Sequence, residues 1–226
     1  DGTYLVVQSG VYSGEGDSSH DANYYSRTVA ANTLLICNLA ENFDGIWENN
    51  DTPPNVWLND CGQRVVNPSN KGGINPNYWL ANRILFETAN IERVYDEGSV
   101  TYIYSDITAA YNSTEITTLN NSPKVQSVIR EFVYLRPGAV LIHDRLNTLN
   151  PDFTTISTLH FNARPQLDGN RWVIFDNSSA LYVQQMAPNS QSNIVEGYIT
   201  AGQLVDTAFG QPTANQFETG QYGWYR

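Results

Sequence analysis

Short runs of β-branched and aromatic residues, bounded by Gly, Pro, Asn and Asp, recur along the whole chain, and apolar spacing at the helical period is nearly absent. The pattern predicts strands at residues 4–8, 24–30, 33–37, 84–95, 100–106, 125–135, 139–146, 155–162, 171–175 and 180–185. Turn chemistry joins several of them: Asp96-Glu97-Gly98-Ser99, Arg136-Pro137-Gly138 and Leu167-Asp168-Gly169-Asn170 each sit between two runs. Consecutive antiparallel neighbours follow. The run 125–135 exceeds the usual strand of about five or six residues, which favours wide stacked sheets over a small barrel. The expected class is all-β, a large antiparallel β-sandwich. No repeat, low-complexity tract or linker divides the chain, so residues 1–226 read as one domain.

Between residues 41 and 82 the alternation gives way to a loop region dense in Asn, Pro, Gly and Trp, with Trp47, Pro53-Pro54, Trp57, Lys71-Gly72-Gly73 and Tyr78-Trp79. A loop of this length is uncommon unless it is functional. Aromatic side chains beside Asn and Asp suit a sugar, whose ring has an apolar face to stack and a rim of hydroxyls to hydrogen-bond. Trp47, Trp57 and Trp79 equally suit a satellite core beneath the loop, and both readings stand.

Composition narrows the partners. Twelve basic against 23 acidic side chains give a net charge of −11, with a pI near 4.5. That argues against an electrostatic grip on nucleic acid or an anionic membrane. No apolar stretch approaches the roughly 20 residues that span a bilayer. Scarce lysine, abundant Asn, Tyr and Thr, and the acidic pI point to a secreted protein, extracellular or periplasmic. The chain enters a strand-like run at once after Asp1, which reads as a piece of a longer or processed chain. Cys37 and Cys61 are too few for a disulfide framework or a thiolate zinc site; they are either one bridge or two buried thiols.

Only His20, His143 and His160 are available for acid–base or metal chemistry. No nucleophile elbow, phosphate-binding glycine loop, dinucleotide fingerprint or H-E-x-x-H helix is present. His20 lies in a Gly- and Ser-rich loop leading into a predicted strand, beside Asp21, as a general base, a metal ligand or a solvated loop residue. His160 faces opposite to Leu159 and Phe161 by alternation and is either a core histidine or a ligand. His143 points opposite to Ile142 and Asp144 and reads as structural.

Several segments, in order, resemble the C-terminal β-sandwich domain of the heparinase II/III-like polysaccharide lyases. Ser19-His20-Asp21-Ala22-Asn23-Tyr24-Tyr25, with Arg27-Thr28-Val29-Ala30-Ala31-Asn32-Thr33, resembles that family's His/Asp/Asn loop and its "R-T-x-A-H-N-T" stretch. Asn59-Asp60-Cys61-Gly62-Gln63-Arg64 is similar to an "N-D-G-G-Q-R" segment. The run from Thr101 to Tyr111 looks like "Y-x-x-G-D-x-T-x-A-Y", and the hairpin from Arg130 through Tyr134-Leu135 to Asp144-Arg145 looks like "R-x-x-x-Y-L-x-P-x-x-x-x-x-x-D-R". Leu159-His160 followed by Pro165 matches "L-H-x-x-x-x-P". The resemblance runs to about residue 187 and is weaker beyond it.

The resemblance implies a β-elimination enzyme for uronic-acid polysaccharides. Such a site neutralises the C5 carboxylate, removes the C5 proton and protonates the leaving O4. In the family most of these groups come from an N-terminal α/α toroid, the implied partner domain of the same chain. The β-domain contributes a histidine and, in some members, a structural metal. The carried-over catalytic residue is His20, and the implied substrate-binding residues are Asn23, Tyr24, Arg27, Trp57 and Arg64. A single His20 stands where the family has a paired "H-x-H", Ala31 replaces the His of "H-N-T", and Asn38 stands where some members have a metal-binding Asp. A divalent metal would have His20 and His160 only. Two functions are in view: the β-sandwich half of a secreted polysaccharide lyase, inactive without its toroid, or a non-catalytic carbohydrate-binding or structural module derived from it. For the first, Arg27, Arg64, Arg83, Arg130 and Arg164 would form a locally positive cleft in an acidic chain.

Overall fold

The run predicted at 125–135 becomes the longest strand among the described residues. In a computed structural model the described residues are 5–8, 27–41, 59–64, 76–81, 88–112, 122–176, 179–187, 196–200, 203–206, 215–216 and 224–225. Four strands in sequence order form one antiparallel sheet: β3 (Asn90–Glu97), β4 (Val100–Asp106), β5 (Val125–Leu135) and β6 (Ala139–Thr148). The hairpins turn where Gly and Pro predict them. Gly98 has φ +49°, in the left-handed region that a Cβ disfavours, and the β5–β6 turn contains the Arg136–Pro137 peptide.

β2 (Leu34–Cys37) pairs with β7 (Thr154–Ser157). β1 (Val6–Val7) pairs with β8 (His160–Phe161), and β8 continues a sheet through β15 (Trp224–Tyr225), β12 (Glu196–Thr200), β13 (Gln203–Asp206) and β14 (Asn215–Gln216). A third hairpin unit orders β11 (Ser179–Val183), β10 (Arg171–Asp176) and β9 (Gln166–Asp168). Every pairing is antiparallel, and the class is all-β. Among the described residues α-helix is confined to α1 (Pro76–Ala81) and α2 (Thr108–Asn112).

Four expectations change. The described part of the strand predicted at 24–30 is a single 3-10 turn, Thr28–Ala30, because the Val29 amide and the Arg27 guanidinium are both drawn to Asp60. The run 155–162 splits into β7 and β8 at Thr158, whose hydroxyl turns back to the carbonyls of Ala31 and Thr33 and lets the chain leave β2 for β1. β3 starts at Asn90 instead of residue 84, and the predicted loop at 41–82 includes α1.

β2 is buried on both faces, which accounts for its uninterrupted apolar sequence. Leu35 packs with Val29, Ala30 and Cys61. Leu34 and Ile36 point the other way, onto Ala110, Tyr111, Val125 and Val128, with Ile107, Leu146 and Phe153 at the margin. The β2–β7 pair is thereby stacked on the base of the four-stranded sheet. Cys37 at the end of β2 is disulfide-bonded to Cys61, 24 positions away, so the two cysteines are a bridge.

The double variant Cys37→Ala/Cys61→Ala should lose about 3 kcal/mol of unfolding free energy, as expected for releasing a loop of this length. Equilibrium denaturation in urea checks it, and an unchanged midpoint would mean that the bridge adds nothing to the packing of Leu35.

Candidate functional site

The segment 59–64 forms a buried polar hub. Asn59 makes a turn with its Oδ1 accepting the Cys61 amide at 2.9 Å, while its Nδ2 donates to the carbonyls of Asn38 and Glu41 at 2.8 and 3.1 Å. Asp60 Oδ1 accepts from Arg27 Nη2 at 2.8 Å and from the Gly62 amide at 2.9 Å; Oδ2 accepts the Val29 amide at 3.2 Å. Cys61 adopts φ +63°, uncommon for a residue with a Cβ, and its carbonyl accepts the Ile36 amide at 2.6 Å. Gly62 is required sterically, because a Cβ there would overlap the side chains of Thr28 and Asp60.

Arg64 closes the segment. Its Nε donates to Glu41 Oε1 at 2.7 Å, Nη1 to the Asn112 carbonyl at 2.7 Å and Nη2 to the Ser122 carbonyl at 2.6 Å. The other Glu41 oxygen accepts from Lys124 Nζ at 2.7 Å, and Lys124 also donates to the Gly62 carbonyl at 2.7 Å and lies 5.6 Å from the centre of the Tyr111 ring. The side chains of Glu41, Arg64 and Lys124 have no solvent exposure. Burial draws the Lys124 ammonium below its ordinary pKa, and the Glu41 carboxylate opposes that shift. Burial likewise raises the Tyr111 hydroxyl, which donates to the Leu34 carbonyl at 2.7 Å.

A second cluster ties the edge of this core together. Asn32 Nδ2 donates to the Val7 carbonyl at 3.0 Å, and its Oδ1 accepts the His160 amide at 2.7 Å, which fixes the orientation of the side-chain amide. His160 Nδ1, 3.1 Å from the same oxygen, is therefore the protonated ring nitrogen. Arg130 grips Asp144 with two nitrogens at 2.7 and 2.9 Å and donates to the Asn32 carbonyl at 2.7 Å.

Of the predicted site residues, Arg27 and Arg64 are described. Their side chains are fully buried, and their guanidiniums are engaged with Asp60 and Glu41. Arg130, offered for a positive cleft, is taken by Asp144. His160 is a buried core histidine. Among the described residues no group of three or more His, Cys, Asp or Glu could hold a metal ion. His20, Asn23, Tyr24 and Trp57 lie outside the described residues. His143, read as structural, stands on the solvent side of β6 with Nδ1 2.8 Å from Glu131 Oε2.

The hub holds the ends of the segments that carry those candidates. The His20-bearing segment arrives at Arg27, held by Asp60. The Trp57-bearing segment leaves at Glu41 and returns at Asn59, whose amide closes the base onto the Glu41 carbonyl. Segment 113–121 leaves at Asn112 and returns at Ser122, and both of those carbonyls are bound by Arg64. No family model and no curated protein matches the chain.

Glu41→Gln should destabilise the fold by about 3–5 kcal/mol, since it leaves two cations buried without their shared anion. Arg64→Gln should cost less, about 1–3 kcal/mol, since Glu41 keeps Lys124 while its other oxygen and two carbonyls lose their donor. Urea denaturation measures both; a variant of Arg64 with wild-type stability but weakened saccharide affinity would restore Arg64 as a substrate contact.

Proposed function

We propose that the chain is the β-sandwich half of a secreted polysaccharide lyase, completing the cleft in which a toroid domain of the same protein cleaves a uronic-acid polysaccharide by β-elimination. The observation that carries this reading is that the separate sequence motifs behind the resemblance bond to one another. Arg27 of the "R-T" stretch pairs with Asp60 of "N-D-C-G-Q-R" across 33 positions. Asn32 of "A-N-T" meets His160 of "L-H" across 128, and its carbonyl meets Arg130, which grips Asp144 of "D-R". Motifs scattered by chance have no reason to converge in this way.

In this reading Arg27, Asp60, Glu41, Arg64 and Lys124 are positioning residues. They spend their charge on holding the bases of the segments with His20, Asn23, Tyr24 and Trp57, and those segments meet the polymer. His20 is the candidate to take or return a proton, and Trp57 the candidate to stack on a sugar ring. Neutralising the C5 carboxylate falls to the partner domain in this reading, because Arg27 and Arg64 are buried in ion pairs and Arg130 is held by Asp144. The Cys37–Cys61 disulfide supports an oxidising compartment, hence secretion. The consumed arginines favour one rival, a module that binds carbohydrate without turnover.

The test is the full-length protein against a panel of polyuronates, followed by the absorbance of the unsaturated uronate product. Product should form with at least one polymer and be lost in His20→Ala at unchanged affinity. Binding without product from any polymer would leave the carbohydrate-binding module and remove the lyase.

A further inference from the structure

Lysine is scarce in this chain. Of the twelve basic side chains only Lys71 and Lys124 are lysines, and Lys124 has no solvent exposure, although lysine is among the side chains least often fully buried. Its neighbours in the hub, Arg27 and Arg64, hold their carboxylates with guanidiniums, which stay charged and donate in a fixed fork. A lysine in the same place differs in one chemical respect. When it gives up a proton it becomes a primary amine, and so a nucleophile.

The surroundings of Nζ aim that nucleophile. Lys124 Nζ donates to Glu41 Oε2 at 2.7 Å and to the Gly62 carbonyl at 2.7 Å, with the centre of the Tyr111 ring 5.6 Å away. Transfer of the first proton along its hydrogen bond leaves a lone pair directed at the Glu41 carboxyl, while the Gly62 bond holds the nitrogen in place. Burial, the largest influence on this amine, favours the transfer by lowering the Lys124 pKa, although Glu41 opposes it. On the other oxygen, Arg64 Nε donates to Oε1 at 2.7 Å, where negative charge collects as a nitrogen adds to the carboxyl carbon. One side chain supplies the amine, one the electrophile and one the oxyanion donor.

We propose that Glu41 and Lys124 condense after folding into an intramolecular isopeptide bond. The Nζ–Cδ bond forms and the Cδ–Oε2 bond breaks; Oε2 leaves as water with two of the three ammonium protons, and no oxidant, reductant or further reactant takes part. The net charge of the cluster is unchanged, because one cation and one anion disappear together. Arg64 keeps Oε1 as its acceptor, now an amide oxygen, and the remaining N–H stays with the Gly62 carbonyl. Two buried charges are thereby exchanged for one hydrogen-bonded amide, which is cheaper to hold away from water. The fold has already brought the groups together across 83 positions, so the entropy of their approach is no longer part of the barrier. Neither side chain has solvent exposure, which shields the product from hydrolysis. The ion pair is the reactant state, and the amide locks it.

Peptide mapping of the full-length protein by mass spectrometry tests this. After reduction and alkylation of Cys37 and Cys61, trypsin should release Thr28–Arg64 joined to Val94–Arg130, lighter by one water than the two together, because trypsin does not cleave after an acylated lysine. Fragmentation should place the link between Glu41 and Lys124, and the joined species should vanish in Lys124→Met. Thr28–Arg64 and Val94–Lys124 recovered only as separate peptides from wild type overturn the proposal. A joined species that persists in Lys124→Met, or whose link maps to another pair, overturns it as well. The mass of the wild-type peptides decides the matter even where the variant fails to fold, and it depends on neither saccharide binding nor turnover.

Discussion

Glu41 is the anion on which this architecture turns. One carboxylate, with no solvent exposure, receives Arg64 on one oxygen and Lys124 on the other. Removing such ions from water is costly, and the cost is offset only when each charge finds a partner and the remaining donors are bonded. Here the remaining donors are used on backbone: Arg64 reaches the carbonyls of Asn112 and Ser122, Lys124 that of Gly62. The ionic cluster thus fixes chain segments that are far apart in sequence, where a purely apolar core would fill volume without specifying which loop base meets which.

The same economy separates the two sides of the four-stranded sheet. On the inward side Val128 and Leu146 join the apolar cluster beneath β2, and the Arg130–Asp144 pair bonds Asn32 at its edge. On the outward side Tyr102, Glu131, His143 and Arg145 bond to one another, and Arg93 lies over the Tyr104 ring. Alternation along a strand is enough to put opposite chemistry on the two faces of a single ladder. At its base the sheet anchors the core with one face, while further along Val94, Val140 and Ile142 of that same face are exposed.

Much of this was legible in the sequence wherever the cause is local. β4 and β5 match their predicted ranges, because alternation and turn residues act within a few positions. Once those turns fix register, the row across the four-stranded sheet containing Arg93, Tyr104, Glu131 and His143 could also have been read, although His143 was taken as structural. The hub could not, since Arg27 meets Asp60 across 33 positions and Lys124 meets Glu41 across 83, with nothing in either neighbourhood to name the partner. An arginine in a sequence looks like a ligand for an anion; for Arg27 and Arg64 the structure supplies one from the protein itself, Asp60 and Glu41. The cysteines were ambiguous for the same reason, and the stop at Thr158 depends on carbonyls more than a hundred positions away.

Charge placement matters more here than charge total. The buried cations Arg27, Arg64 and Lys124 face carboxylates inside the protein, and Arg130, Arg136 and Arg171 face Asp144, Asp96 and Asp168 nearer the surface. A polymer approaching from solvent meets none of the buried charge. On the outward sheet face Arg145 shares Glu131 with His143 and Tyr102, and Arg93 lies over the Tyr104 ring with no ion pair among the described residues. The interior cations are committed to the fold, so the net charge of −11 does not say which charges meet solvent; that is decided by which side chains the fold buries.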